Sequence, residues 1–125
     1  MLGGPVVLSL PSAVRIFLCV EPTDMRRGFD RLAEMVRQVI RQDPLSGHLF
    51  VFRSRRGDRL KLLYWDRDGL ALWYKRLEKG RFALPGKVGG DFRIDARALA
   101  MMLEGLEEAS VRRRIRFSLE RTQRA

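Results

Sequence analysis

The sequence has few of the residues on which many catalytic and structural sites depend, and each shortage excludes a class of protein. Cys19 is the only cysteine, which excludes an internal disulfide and favours a reducing cytoplasm. His48 is the only histidine, which excludes histidine-based triads and most metal sites. No apolar run approaches the roughly 18 residues of a membrane span. The N-terminal residues lack the basic region of a signal peptide. We therefore expect a cytoplasmic protein that does not act at a membrane.

Candidate catalytic groups are correspondingly few. Cys19 lies in an apolar segment that favours a buried thiol, and His48 begins a predicted strand, where a surface or hydrogen-bonding role is typical. Asp24, Asp68 and Asp95 precede helical patterns and are typical of caps, while Asp58 and Asp66 are typical of turns. The motifs of phosphate-binding loops, dinucleotide sites and nucleophile elbows are missing. The sequence predicts no catalytic residue, metal ligand, cofactor or small-molecule substrate. The alternative is a small metal-dependent nuclease that uses Asp66 and Asp68.

Positive charge, in contrast, is abundant. Lysine and arginine together number 25 against 15 acidic residues, which gives a net charge of +10, and 21 of the 25 cations are arginine. A high-GC genome would account for arginine in place of lysine, but it does not account for the excess of cations. A net positive charge of this size creates an electrostatic field that attracts polyanions, either nucleic acid or an anionic membrane surface. The planar guanidinium fork favours bidentate contact with phosphate.

Hydrophobic periodicity predicts one α+β domain over residues 9–108, followed by an arginine-rich extension over 109–125. The predicted fold is a small antiparallel sheet with a central β-hairpin, packed by two to three helices. We expect strands at 14–20, 48–53 and 59–65, a helix that Asp24 caps, and a last helix that Asp95 caps. Residues 70–79 fit a helical stripe, which we favour, and also fit an alternating strand.

The hairpin concentrates charge at its tip. Alternation along its second strand predicts Leu60, Leu62 and Tyr64 in the core, with Arg59 and Lys61 on the other, solvent-facing side. The connecting sequence SRRGD provides Gly57 and Asp58 for the turn. The hairpin is therefore expected to be a core element with a cationic tip.

A second concentration of charge lies in residues 112–125, which hold six arginines and one acid. From these features we predict contacts to the DNA backbone, without sequence specificity, because no groove-reading motif is present. The predicted DNA-binding residues are Arg26, Arg27, Arg53, Arg55, Arg56, Arg59, Lys61, Arg112, Arg113, Arg114 and Arg116. Phe50 and Phe52 are expected to pack in the core instead of stacking on bases. An alternative is a protein-binding adaptor whose tail docks on an acidic partner.

Several stretches carry a specific resemblance to a known family. These are PSAVRIFL (11–18), TDMRRGFDRLA (23–33) and the long segment DPLSGHLFVFRSRRGDRLKLLYWDRDGLALWYKRLEKGRF (43–82), followed by ALP. Over about residues 9–86 the chain resembles the TnpB-type accessory protein, the second open reading frame, of the bacterial insertion-sequence family numbered sixty-six. It does not resemble the RNA-guided nucleases that share the TnpB name.

The resemblance implies a small protein that is encoded beside a much larger transposase and is needed for efficient movement of the element. It implies the transposase as a partner, and it provides no catalytic or metal residues. The positions that match the family's pattern are Asp24, Arg26, Arg27, Gly28, Phe29, Arg53, Arg56, Gly57 and Asp58. The combined expectation is a non-catalytic accessory factor for transposition that binds DNA, the transposase or both.

Overall fold

A computed structural model of the protein describes residues 10–104, which form a five-stranded sheet with one helix packed on each face. The strands are β1 (Ile16–Cys19), β2 (Leu49–Arg53), β3 (Arg59–Asp66), β4 (Gly69–Arg76) and β5 (Arg93–Ile94). The helices are α1 (Phe29–Met35), which continues as a π-helical segment (Val36–Ile40), and α2 (Ala96–Leu103). The predicted α+β fold is confirmed.

The strand order is β4-β3-β2-β1-β5, and the sheet is mixed. Strands β2, β3 and β4 form an antiparallel meander, and β5 is antiparallel to β1. The prediction of an antiparallel sheet is wrong for one pair, because β1 and β2 run parallel. The connection over residues 20–48 explains the difference. It contains α1, which returns the chain to the end of the sheet where β1 began, as a parallel pair requires.

The first helix begins later than the sequence predicts. Asp24 does not cap it: the helix starts at Phe29, and the Asp24 carboxylate instead accepts a hydrogen bond from the Arg26 N–H at 2.9 Å. A helix that began at Asp24 would need the Met25 carbonyl to accept from the N–H four residues later. That carbonyl instead accepts from the ammonium of Lys61, a residue on β3. A long-range contact therefore sets the start of α1.

Residues 69–76 are a strand, so the favoured helical interpretation of 70–79 is wrong. A two-residue turn at Arg67 and Asp68 folds the chain back, and all eight residues of β4 lie opposite residues of β3. Both faces of β4 are partly covered, so apolar residues occupy consecutive positions. A run of that kind also satisfies helical spacing, which is why the pattern was ambiguous.

The sheet separates the buried side chains into two clusters. On the α2 face the buried residues are Ile16, Leu18, Leu49, Val51, Leu60, Leu62, Phe82, Ile94, Leu99 and Met102. On the α1 face they are Phe17, Cys19, Met25, Leu32, Ala33, Met35, Val36, Ile40, Phe50, Phe52 and Leu63. The predicted core positions Leu60, Leu62, Phe50 and Phe52 are confirmed, and Tyr64 packs half-buried against the α2-face cluster.

The second helix begins where the sequence predicts. The Asp95 carboxylate accepts a hydrogen bond from the Ala98 N–H at 2.7 Å, which satisfies one of the unpaired donors of the first turn. Leu99 and Met102 are buried against the sheet. The predicted extension 109–125 lies outside the described residues, so the boundary at 108 stays a prediction.

Candidate nucleic-acid interface

The turn between β2 and β3 exposes the two arginines that the sequence places at its tip. Arg55 and Arg56 are both exposed at the corner of the turn. The turn is held by hydrogen bonds from the Gly57 N–H to the Ser54 carbonyl (3.0 Å) and from the Arg59 N–H to the Ser54 hydroxyl (3.1 Å). The backbone is therefore well fixed, while the two guanidinium groups extend into solvent.

Arg53, in contrast, takes part in the fold. Its Nε donates to the Phe82 carbonyl at 3.1 Å, and its guanidinium lies directly over Gly57. Gly57 has φ +80, and a side chain there would overlap that guanidinium. Only glycine suits both the backbone angle and the close approach. Arg53 therefore joins the turn to the segment that contains Phe82.

The prediction that Lys61 faces solvent is wrong. The residue is only 5% exposed, and its Nζ donates to the carbonyls of Met25 (2.7 Å) and Arg27 (2.8 Å). The ammonium also lies 4.6 Å from the centre of the Tyr74 ring, a cation–π contact. Burial lowers the pKa of Lys61, and the negative charge of Asp24 offsets part of that effect. Lys61 lies on the predicted face of β3, but α1 and the segment before it cover that face.

The Lys61 contacts place a second pair of arginines near the turn. They fix the backbone of Met25 and Arg27, and the Thr23 N–H donates to the Arg53 carbonyl at 2.9 Å. Arg26 and Arg27 are exposed on this segment. Arg26 pairs with Asp24 at 2.7 Å, and that guanidinium holds the pKa of the Asp24 carboxyl well below its usual range.

The end of β4 brings further cations that sequence reasoning missed. Arg76 lies directly opposite Arg59 in the β3–β4 ladder. Beyond it, the Leu77 N–H donates to the Asp58 carbonyl and the Phe82 N–H to the Gly57 carbonyl, both at 2.7 Å. Residues 77–82 therefore run beside the turn. The overlooked cations are Lys75, Arg76, Lys79 and Arg81. The signal that could have revealed them is the turn sequence DRDG, which is followed by residues that also fit the strand interpretation of 70–79.

These segments together form what we call the cationic end of the sheet. It consists of Arg26, Arg27, Arg55, Arg56, Arg59, Lys75, Arg76, Lys79 and Arg81. Its acids already have partners: Asp24 with Arg26, Glu78 with Arg76 at 3.4 Å, and Asp58 with the Ser54 hydroxyl at 3.3 Å. Arg112, Arg113, Arg114 and Arg116, which the sequence also predicts to bind DNA, lie outside the described residues.

The arrangement is electrostatically costly for the isolated protein. Arg59 and Arg76 are direct cross-strand neighbours, and like charges in that position destabilise a sheet. The local excess of positive charge creates a field that attracts polyanions.

The candidate catalytic and metal-binding side chains are buried, hydrogen-bonded to the backbone or located in a turn. Cys19 is buried, and burial raises the pKa of its thiol. The His48 Nδ1 accepts from the Arg15 N–H at 3.0 Å. Asp66 and Asp68 flank the β3–β4 turn at the opposite end of β3 from the cationic end. Within residues 10–104, no three histidine, cysteine or carboxylate side chains are grouped to hold a metal ion. In the same range no helix has the length and apolar character to cross a membrane.

The fold and the site define a small basic α+β protein in which exposed cations from several segments meet at one end of a mixed sheet. The sequence pattern of the family described as "IS66 Orf2 like protein" matches residues 14–113, and the chain belongs to that family. The resemblance seen in the sequence is thereby confirmed. The protein is associated with an insertion sequence, within a family of accessory proteins.

Two relatives from Sinorhizobium fredii align over most of this chain. "Uncharacterized protein y4hO" is 43% identical over 100 residues, which cover 78% of this chain and 87% of the relative. "Uncharacterized protein y4jC" is 36% identical over 101 residues, which cover 81% and 86% respectively. No solved structure matches the chain. The relatives support the family, and the cationic end is the basis for a more specific function.

Proposed function

We propose that the protein is a non-catalytic accessory factor for DNA transposition, which binds the DNA backbone through its cationic end and acts beside the transposase of the same element. The observation that carries the proposal is the convergence of exposed cations from separate segments. Arg27, Arg55, Arg76 and Arg81 are far apart in sequence, yet backbone hydrogen bonds hold their segments at one end of the sheet.

The positions of these cations favour phosphate over base edges. They lie on turns, strand ends and an irregular segment, whereas α1 and α2 bury their apolar faces against the sheet. Neither described helix carries the cations of the cationic end, although recognition helices that enter the major groove present their reading residues on such a surface. Contacts of exposed arginine and lysine with phosphate fix position without reading sequence. Binding is therefore expected to be similar for unrelated DNA sequences.

The role beside the transposase follows from the family. An insertion-sequence protein with a polyanion-binding surface can hold the ends of the element while a partner enzyme performs strand chemistry. Co-purification of the tagged protein with its transposase, with and without nuclease treatment, tests this part. Association that survives nuclease treatment indicates direct protein contact, whereas association that is lost indicates a bridge of DNA.

The decisive experiment is a salt titration of DNA binding. Affinity for duplex DNA should fall linearly on a log–log plot, with a slope of about −0.9 per phosphate neutralised. The double variant Arg55→Gln/Arg56→Gln should reduce the slope by about one unit for each lost contact, equally on unrelated sequences. Its matched control is Arg37→Gln/Arg67→Gln, which removes the same charge from the π-helical segment after α1 and from the β3–β4 turn.

The control is expected to retain the slope of the unmodified protein, because its two residues lie away from the cationic end. If both double variants lower affinity equally, binding follows net charge alone and the cationic end is not a site. If neither changes affinity or slope, the turn does not contact DNA. Metal-dependent cleavage of DNA by pure protein, lost in Asp66→Ala, would establish the nuclease alternative instead.

A further inference from the structure

Strand β4 is an edge strand of unusual composition. No described strand pairs with its outer side, because the sheet order places it last. Its first six residues, Gly69–Tyr74, carry no charge and no proline. Natural proteins protect exposed edges with charged residues, proline, bulges or very short strands. Over this stretch β4 has none of the compositional protections, and at eight residues it is longer than the usual strand.

The edge also has half-exposed apolar side chains above and below it. Leu70, Leu72 and Tyr74 lie toward the α1 face, where Tyr74 is 48% exposed, and Trp73 packs partly buried on the α2 face. Alternate residues of an edge strand direct their N–H and C=O groups outward. A strand added here would therefore gain both backbone hydrogen bonds and apolar contact on two faces.

The charges at the two ends of β4 indicate which strand fits. Asp68, which follows Arg67 in the turn, directly precedes the apolar stretch, and Lys75 and Arg76 follow it. An antiparallel copy of the same strand brings Asp68 of one copy against Arg76 of the other. A parallel copy would instead place like charges side by side, which destabilises a pair. The edge is therefore complementary to itself in one orientation only.

From this complementarity we infer that the protein forms a homodimer in which two β4 strands pair in antiparallel fashion and join the two sheets into one. A two-fold axis normal to the sheet, passing beside Leu72, keeps α1 of both copies on the same face. In this register Asp68 lies opposite Arg76 of the second copy, and Leu70 lies opposite Tyr74. The inference does not depend on DNA binding, because it is derived from the edge alone.

Sedimentation equilibrium of the full chain without DNA tests the inference. The unmodified protein should be a dimer at micromolar concentrations. Asp68→Arg and Arg76→Asp should each weaken dimerisation about tenfold, because two ion pairs are replaced by two repulsive pairs. The double exchange should restore it to within about threefold. The exposed helix variant Arg37→Asp is the matched control and should not change dimerisation. A monomer, or a dimer that does not respond to the exchange, would overturn the proposal.

A cross-linking variant keeps the test decisive if Asp68→Arg disturbs the turn. Leu72→Cys places two thiols across the proposed axis, where paired strands bring Cα atoms to about 5 Å, within the range of a disulfide. Mild oxidation should convert this variant to a covalent dimer. The control Leu45→Cys, at an exposed position away from β4, should not cross-link. Equal cross-linking of both variants would show random collision and contradict the inference.

Discussion

Lys61 and the Arg55–Arg56 pair lie a few residues apart in one hairpin and carry positive charge, yet their surroundings differ. Lys61 is buried and donates to two carbonyls, whereas Arg55 and Arg56 are exposed at the turn. The difference arises because the segment that contains Met25 and Arg27 covers Lys61, whereas Arg55 and Arg56 are exposed. Cations in one short stretch can therefore divide into a set that stabilises the fold and a set that is exposed to solvent.

Removal of the buried cation is expected to have the largest effect on stability. Lys61→Met keeps the length of the side chain but leaves the Met25 and Arg27 carbonyls without their donor. We expect the free energy of unfolding to fall by about 3 kcal/mol, since charged hydrogen bonds to buried groups are lost. Urea denaturation measures this loss. Arg55→Gln/Arg56→Gln is the comparison and should stay within about 0.5 kcal/mol. Equal losses would mean that both sets are structural.

Gly57 tests whether Arg53 belongs with the structural cations. Gly57→Ala should lower the free energy of unfolding by about 2 kcal/mol, because alanine is strained at φ +80 and displaces the Arg53 guanidinium. Gly47→Ala isolates the first effect, the backbone strain. Gly47 has φ +86 with open space around its Cβ position, so its cost of about 1 kcal/mol reflects backbone strain alone. A cost for Gly57→Ala no greater than that of Gly47→Ala would mean that the Arg53 guanidinium does not stabilise the turn.

The smallest expected effect is an increase in the free energy of unfolding, whereas the two preceding changes lower it. Arg76→Thr removes one of two directly opposed cations, so it should raise the free energy of unfolding by up to about 0.5 kcal/mol while weakening DNA binding. Lys75→Thr is the control for strand propensity, because Lys75 lies opposite Leu60 and has no cation across from it. Thermal denaturation of the two variants measures the difference. Equal stabilities would indicate that the Arg59–Arg76 pair costs nothing.

Features that depend on neighbouring residues were predicted well from the sequence. Features that depend on contacts between distant segments were not. The Asp95 cap is a bond between neighbours, and the strand at Leu60 and Leu62 has clear alternation. Asp24 carries the same local signal as Asp95, but the distant Lys61 takes the carbonyl that a helix there would need. Composition could show that Lys61 is basic, and alternation could show its face. Neither could show that another segment covers it.

Contacts between distant segments also limited the prediction of the candidate site. Arg55 and Arg56 were found because they lie in a turn with obvious glycine chemistry. Arg76 and Arg81 were missed because the helical interpretation of 70–79 separated them from the hairpin. In the structure β4 is an edge strand with both faces partly covered, so its apolar residues fit two periods equally well. The pairing of β4 with β3 brings Lys75 and Arg76 to the cationic end, and hydrophobic periodicity does not show which strands pair.

The parallel pairing of β1 with β2 has a consequence for the order in which the chain acquires its structure. The meander of β2, β3 and β4 closes only short loops, so its contacts form at little entropic cost. Ile16, in contrast, pairs with both Leu49 and Ile94, and each of those contacts closes a long loop. Contacts of that kind slow folding. Of the described strands, β1 is therefore the first to leave the ribosome and among the last to be paired, since its pairing with β5 needs Arg93 and Ile94.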